Sequence, residues 1–120
     1  MKRFTEEHEW IEIKDDTGVI GITAHAANEL GDITFVELPE VDVQFSQGDV
    51  LSVVESVKAA SDVYSPISGK VCEVNSSLEN HPETINNSAE SEGWICKMSK
   101  ISEDEIQGLM TEEEYTDFIS

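Results

Sequence analysis

The sequence predicts a mostly β fold, a small sandwich or flattened barrel with short helices at its edges and a helical C-terminal tail. Short apolar runs separated by glycine, proline, asparagine and aspartate recur from residue 9 to residue 98, which is typical of such folds. Acidic Ser/Thr-x-x-Glu segments in the last twenty residues are typical of helix starts. A chain of 120 residues has room for one hydrophobic core, so we expect a single domain, residues 1–120.

The charge of the chain limits its partners. There are 26 Asp and Glu against 7 Lys and Arg, giving a formal net charge of −19. This field repels nucleic acid and anionic membranes, so we expect partners with basic or neutral surfaces. The hydrophobic residues, 38% of the chain, lie in well-spaced runs, which indicates a folded protein.

Several features indicate a cytoplasmic, bacterial protein, which we expect to be a monomer. No targeting peptide is seen at the N-terminus, and no segment is long enough to span a bilayer. Cys72 and Cys96 lack the spacing of metal ligands, and we expect both to be buried, reduced thiols.

The N-terminal third predicts a hairpin and a helix. Glu9–Lys14 alternates as a strand does, Asp15–Gly18 supplies turn residues, and Val19–Thr23 is rich in β-formers. Thr23 is a suitable N-cap for a helix over residues 24–30, and Gly31 a suitable end.

The middle of the chain predicts strands, and its end predicts helices. We expect strands over residues 33–38, 50–57, 63–64, 70–74 and 94–98, with an exposed loop over 75–92 that has a helical turn after Pro82. Gly48–Val53 and Gly69–Val74 resemble each other, which suggests a weak internal repeat. Ser102 and Thr111 begin two predicted capping boxes. The apolar residues that should dock the tail are Ile106, Leu109, Met110, Tyr115, Phe118 and Ile119. The acidic run at 112–114 lacks the ligand spacing of a calcium loop, so we predict no metal site.

Lys58 is the candidate functional residue. It is the only Lys or Arg between Lys14 and Lys70, and it lies among small residues between two strand-like runs. A tight turn there would make its amine accessible to a modifying enzyme. An ordinary exposed lysine fits the same pattern, and position alone does not decide between the two.

The residues around Lys58 carry a family resemblance. The segment Val53–Gly69 (VVESVKAASDVYSPISG) is similar to the lipoylation hairpin of the glycine cleavage H proteins. His8-Glu9-Trp10, Gly21-Ile22-Thr23, Leu30–Ile33, Phe35–Pro39 and Glu92–Ile95 also resemble segments of that family, and the match covers roughly residues 4–119. The chain departs from the family pattern at Ala24, where many relatives have aspartate, and at Ala89-Glu90-Ser91, where Pro-Tyr-Gly is more usual.

The resemblance implies a barrel-sandwich hybrid of the biotinyl/lipoyl hammerhead type. It also implies that Lys58 carries lipoate as a lipoyl amide, and that the protein is a carrier and not an enzyme. The carrier would shuttle the aminomethyl group of glycine between three partners: a pyridoxal phosphate glycine decarboxylase, a tetrahydrofolate-dependent aminomethyltransferase and an FAD-containing dihydrolipoyl dehydrogenase. A tether raises the effective concentration of the reactive group at each active site.

The same resemblance implies roles for further residues. Glu55 is expected to contact the lipoate-attaching enzyme. Glu9 and Asp62 are expected to lie near the ammonium of the loaded arm, with Glu7 and His25 as further candidates for an arm-binding cleft.

Three alternatives remain open at this stage. The protein could act as a lipoyl relay, or donor, for 2-oxoacid dehydrogenase subunits, because that role needs the same arm. Biotin carriage is disfavoured because Val57 and Ala59, not methionines, flank Lys58. An unmodified interaction module is the third. The chain shows no nucleophile–base arrangement that predicts a catalytic site.

Overall fold

The computed structural model describes all 120 residues and consists of two β-sheets with short helices around them. The strands are β1 Lys2–Phe4, β2 Glu9–Lys14, β3 Thr17–Ile22, β4 Ile33–Glu37, β5 Gln44–Phe45, β6 Val50–Ser56, β7 Ala60–Tyr64, β8 Gly69–Val74 and β9 Cys96–Ser99. The helices are α1 Ala24–Leu30, α2 Thr84–Ser88, α3 Glu103–Ile106 and α4 Glu112–Ile119, with a 3₁₀ turn at Ser76–Glu79. The predicted mostly β sandwich is confirmed.

The larger sheet has six strands in the order β1-β2-β3-β9-β8-β5, and the smaller has three in the order β4-β6-β7. Every pairing is antiparallel. The two segments that resemble each other in sequence form β6 and β8, which lie in different sheets. Inward-facing side chains of both sheets form one core, including Ile20, Val54 and Val71, all fully buried.

The predicted N-terminal hairpin and first helix are confirmed. Lys14 pairs with Thr17 across the turn. The Thr23 hydroxyl accepts a hydrogen bond from the Ala26 amide at 3.2 Å, and Gly31 ends α1 with a positive φ of 81°.

The loop predicted over residues 75–92 is more ordered and more buried than expected, and it extends to residue 95. It contains the 3₁₀ turn and α2, which follows Pro82 as predicted, and it buries Leu78, Ile85 and Ala89 in the core. The final strand begins at Cys96 and not at residue 94. The short strands β1 and β5 were not predicted, and β7 begins three residues earlier than predicted.

Two further expectations are wrong. Cys96 is buried but Cys72 is exposed, because the alternation of β8 places the neighbouring Val71 in the core and a register shift follows it. Ser102 makes no side-chain cap, since the Glu105 amide donates to the Ser102 carbonyl instead, at 3.3 Å. The Glu105 carboxylate that would complete the box accepts hydrogen bonds from Ser68 N at 2.6 Å and Ser68 Oγ at 2.8 Å. The predicted box at Thr111 and Glu114 is present.

The tail docks through most of its predicted residues. Ile106 and Tyr115 are buried, and the Tyr115 ring stacks on Phe4 with a centroid distance of 4.7 Å. Phe118 differs, since it remains 48% exposed beyond the edge of this contact. No helix has both the length and the apolar character needed to cross a membrane.

Candidate functional site

Lys58 lies at the tip of the β6–β7 hairpin. Ser56 shapes this turn: its amide donates to the Ala59 carbonyl at 2.8 Å, and its hydroxyl accepts from the amides of Lys58 and Ala59 at 3.1 and 3.2 Å. A serine hydroxyl is well suited to bonding nearby amides in a tight turn. The backbone of the turn is therefore held while the Lys58 side chain remains exposed.

The Lys58 ammonium has one polar contact, a hydrogen bond of 3.3 Å from Nζ to the Glu29 carbonyl in the last turn of α1. A cation is favoured at this end of a helix by the helix dipole. The stem passes Gly31, where an added Cβ would lie 3.3 Å from Lys58 Cε. None of the four ion pairs includes Lys58, so neither Glu55 nor Asp62 holds its amine.

A cleft of about 510 Å³ lies beside the turn. Its walls come from the β1–β2 loop, from α1 and from strand β7 at the edge of the smaller sheet. The lining residues are Glu7, His8, Ala26, Glu29, Leu30, Ala60, Ser61, Asp62 and Tyr64. Because Glu29 both lines the cleft and accepts the Lys58 bond, the amine lies at the mouth of the cleft.

The structure brings Glu7 and Asp62 together across this cleft, as residues of its lining. Glu29 adds a third carboxylate. His25 is not in the lining, but its Nε2 lies 3.1 Å from Glu29 Oε1 and its ring is 4.9 Å from that of His8. The cleft therefore has an acidic wall that can attract a cation.

Glu9 has a different position. It is only 2% exposed, and it lines a neighbouring cavity of about 350 Å³ instead. Its Oε1 accepts a hydrogen bond from Thr5 Oγ1 at 2.6 Å and its Oε2 accepts one from the Tyr64 amide at 3.1 Å. Burial raises the pKa of the Glu9 carboxyl above its usual value, although these two hydrogen bonds oppose the shift. Glu9 thus joins the β1–β2 loop to β7, whose Tyr64 lines both cavities.

Glu55 is exposed and lies on β6, opposite Ala60 of β7. It points away from the core beside the hairpin tip, and no hydrogen bond or ion pair of its side chain is present. A partner protein can therefore reach its carboxylate.

Sequence reasoning missed His8, Glu29 and Tyr115 as parts of the site. His8 has a positive φ of 69°, and its Nδ1 lies 2.8 Å from the Tyr115 hydroxyl, which also lies 2.8 Å from Thr23 Oγ1. Burial raises the pKa of Tyr115. The spacing of His25 and Glu29, one helical turn apart, was a usable signal for the α1 wall, whereas no local pattern connects residue 8 with residue 115.

Comparison with known proteins decides the family. The family model described as "Glycine cleavage H-protein" matches residues 2–120. The chain belongs to the glycine cleavage H-protein family.

Similar proteins match this chain along nearly its whole length. The chain is 51% identical over 117 residues to the putative mitochondrial glycine cleavage system H protein of Schizosaccharomyces pombe, covering 98% of this chain and 69% of that protein. It is 48% identical over 118 residues to the glycine cleavage system H protein of Thermotoga maritima, covering 98% and 95%. The crystal structure of the H protein from Mycobacterium marinum superposes with a TM-score of 0.86 at 35% identity, covering 97% and 94%.

Membership of the H-protein family confirms the hammerhead-type fold expected from the sequence. It also confirms the expected role, that of a lipoyl carrier in the glycine cleavage system. The family match includes the hairpin, the cleft walls and the tail helices.

Proposed function

We propose that Lys58 is the residue that carries lipoate, and that the cleft beside it receives the end of the arm. The observation that supports this proposal is the exposed Lys58 amine, which lies on a hydrogen-bonded turn at the mouth of an acidic cleft of about 510 Å³. The exposed turn lets an attaching enzyme reach Nζ, and the cleft offers a place for the arm to rest. The residues present therefore fit a lipoyl group.

Attachment forms one amide bond. Lys58 Nζ attacks the carboxyl carbon of an activated lipoyl donor, the donor's leaving group departs with its bonding electrons, and the amine releases one proton. The protein contributes access: Ser56 holds the turn, and only the weak bond to the Glu29 carbonyl must break. The Lys58 stem is otherwise free to extend.

When bound, the lipoyl group supplies a dithiolane that accepts and releases the one-carbon amine cargo. The protein's side chains then act on whatever charge the arm presents. Asp62, Glu7 and Glu29 face the cleft and favour a cationic amine there. Glu9 positions this wall through the Tyr64 amide, and His25 orients Glu29 through their contact of 3.1 Å.

We further propose that the protein performs no catalysis itself. Its partners would be the decarboxylase with pyridoxal phosphate, the aminomethyltransferase with tetrahydrofolate, and the FAD-containing dihydrolipoyl dehydrogenase, in the cytoplasm. The acidic surface, with a net charge of −19, suits basic docking sites on these enzymes.

The test is intact-mass spectrometry of the protein from lipoate-sufficient cells. The wild type should gain the mass of one lipoyl amide, and Lys58→Arg should gain none. Lys100→Arg is the matched control, because Lys100 is also an exposed lysine at a bend of the backbone. An unmodified wild type, or modification that survives in Lys58→Arg, would refute the assignment.

A further inference from the structure

Most residues on one face of the smaller sheet are exposed, and the cleft lies at the β7 edge of this face. Residues directly opposite in antiparallel strands share a face, so the pairings give two rows across β4, β6 and β7. The members of this outer sheet face are Phe35, Glu55 and Ala60 in one row and Glu37, Val53 and Asp62 in the other. The alternate residues Val36 and Val54 point to the core and are 2% and 0% exposed.

The outer sheet face has apolar groups beside the functional turn. Phe35 is 50% exposed, and Val57, which precedes Lys58, is 69% exposed. The Val57 amide donates to the Asp32 carbonyl at 3.1 Å, so the turn is tied to the start of β4, the strand that carries Phe35. Exposed aromatic side chains of this kind are typical anchors of protein interfaces.

The charge of this face is of one sign. Glu37, Glu55 and Asp62 are exposed on it, and Lys58 is the only Lys or Arg between Lys14 and Lys70. A complementary surface therefore has an apolar recess for Phe35 surrounded by basic side chains.

We propose that the outer sheet face is the docking surface for the lipoate-attaching enzyme, with Phe35 and Val57 as its apolar anchors. The inference rests on the proposed modification of Lys58. Before modification, the reactive amine reaches only as far as four methylene groups from the backbone. The turn itself must therefore enter the attaching enzyme's active site, and the adjacent outer sheet face must contact that enzyme. Enzymes that act on the finished arm meet it at a greater distance from the turn.

The test measures attachment kinetics on the full-length, unmodified chain. Lipoate, ATP and the lipoate-attaching enzyme of the source cell are mixed with the protein, and lipoylated product is followed by intact mass. We expect Phe35→Ala to lower kcat/KM roughly tenfold, which corresponds to about 1.4 kcal/mol, mainly through KM. Val57→Ser should act in the same direction. Phe118→Ala is the matched control, because Phe118 is 48% exposed and lies on α4, and it should retain the wild-type rate.

A charge test separates steering from packing. Glu37→Lys and Glu113→Lys each change the net charge from −19 to −19 + 2 = −17, but only Glu37 lies on the outer sheet face. We expect Glu37→Lys alone to raise KM, with a smaller effect at high salt. Equal effects of both variants would overturn the charge argument.

The outcomes also separate this inference from the proposed function. If the wild type is not lipoylated at Lys58 at all, the proposed function fails. If the wild type is lipoylated and Phe35→Ala and Val57→Ser react at the wild-type rate while folded, only the docking surface is refuted. A Phe35→Ala variant that instead converts a dimer to a monomer, with unchanged attachment, would also refute it and identify the face as a self-association surface.

Discussion

Glu90 connects the start of α1 to the N-terminal strand, and its removal is a direct test of how the cleft wall is held. Its Oε2 accepts a hydrogen bond from the Ala24 amide at 2.9 Å, and its Oε1 lies 3.0 Å from Lys2 Nζ. Ala24 has no carboxylate of its own, and Glu90, which lies just after α2, supplies one to the positive end of α1. We predict that Glu90→Ala destabilises the fold and loosens α1.

The magnitude follows from the two contacts. Loss of a carboxylate that caps a helix amide costs about 1 kcal/mol. The ion pair with Lys2 adds roughly 0 to 1 kcal/mol, because the two side chains are 27% and 29% exposed. The expected loss is therefore about 1–2 kcal/mol, or a fall in Tm of about 4–8 °C.

Urea denaturation measures the free energy of unfolding, and amide hydrogen exchange of residues 24–26 reports the local effect. Glu92→Ala is the matched control, because it removes the same charge two residues further along from an exposed side chain. Lys2→Met combined with Glu90→Ala completes a double-mutant cycle that isolates the ion pair. Equal stability of the Glu90 and Glu92 variants, with unchanged exchange in α1, would show that this contact does not hold the helix.

Three further predictions concern the hairpin and the cleft. Burial raises the pKa of Glu9 above 4.5 in the folded state. Protonation of Glu9 therefore stabilises the fold, and this stabilisation is complete below the unfolded pKa and is lost as pH rises through the folded pKa. The stability of the wild type relative to Glu9→Gln should therefore fall as pH rises above about 4.5, by about 1.4 kcal/mol for each tenfold change in proton affinity. A pH-independent difference, or the same trend in the exposed control Glu6→Gln, would contradict this. Ser56→Ala removes the hydroxyl that accepts hydrogen bonds from two amides of the turn. We expect this variant to lower the free energy of unfolding by about 1 kcal/mol in urea denaturation and to slow lipoyl attachment. An unchanged rate of attachment would argue that these two hydrogen bonds do not matter for attachment. Asp62→Asn should shorten the lifetime of the loaded arm several-fold, measured as ammonia release, while Asp104→Asn on α3 should not; equal lifetimes would remove Asp62 from the cleft's function.

The sequence predicts the fold well wherever local chemistry decides the structure. Thr23 and Gly31 delimit α1 as their capping preferences require, and Thr111 forms its box because nothing competes for Glu114. The Ser102 box does not form, and its Glu105 carboxylate binds Ser68, which is distant in sequence. The short strands β1 and β5 escape prediction because their pairing with β2 and β8, and not their own composition, makes them strands.

In the candidate site, too, the sequence predicts what local residues decide and misses what contacts between distant segments decide. Lys58 is visible as an isolated lysine between strand-like runs, and the family pattern adds Glu7 and Asp62, which do meet at one cleft. The contribution of Glu29 and His8 depends on how α1 and the β1–β2 loop pack against β7, which no local pattern specifies. Glu9 illustrates the limit best, because its neighbours in sequence do not reveal that its partner is the Tyr64 amide.

The bond from Tyr64 to Glu9 has a consequence for self-association. Strand β7 is the edge of the smaller sheet, and an open edge invites pairing with a strand from another molecule. The Glu9 carboxylate already occupies the Tyr64 amide, so an incoming strand would lose this donor and approach a carboxylate. The open length of the edge is thereby reduced to the few residues between Tyr64 and the turn. The contact that shapes the cleft thus also removes one backbone donor from the open sheet edge.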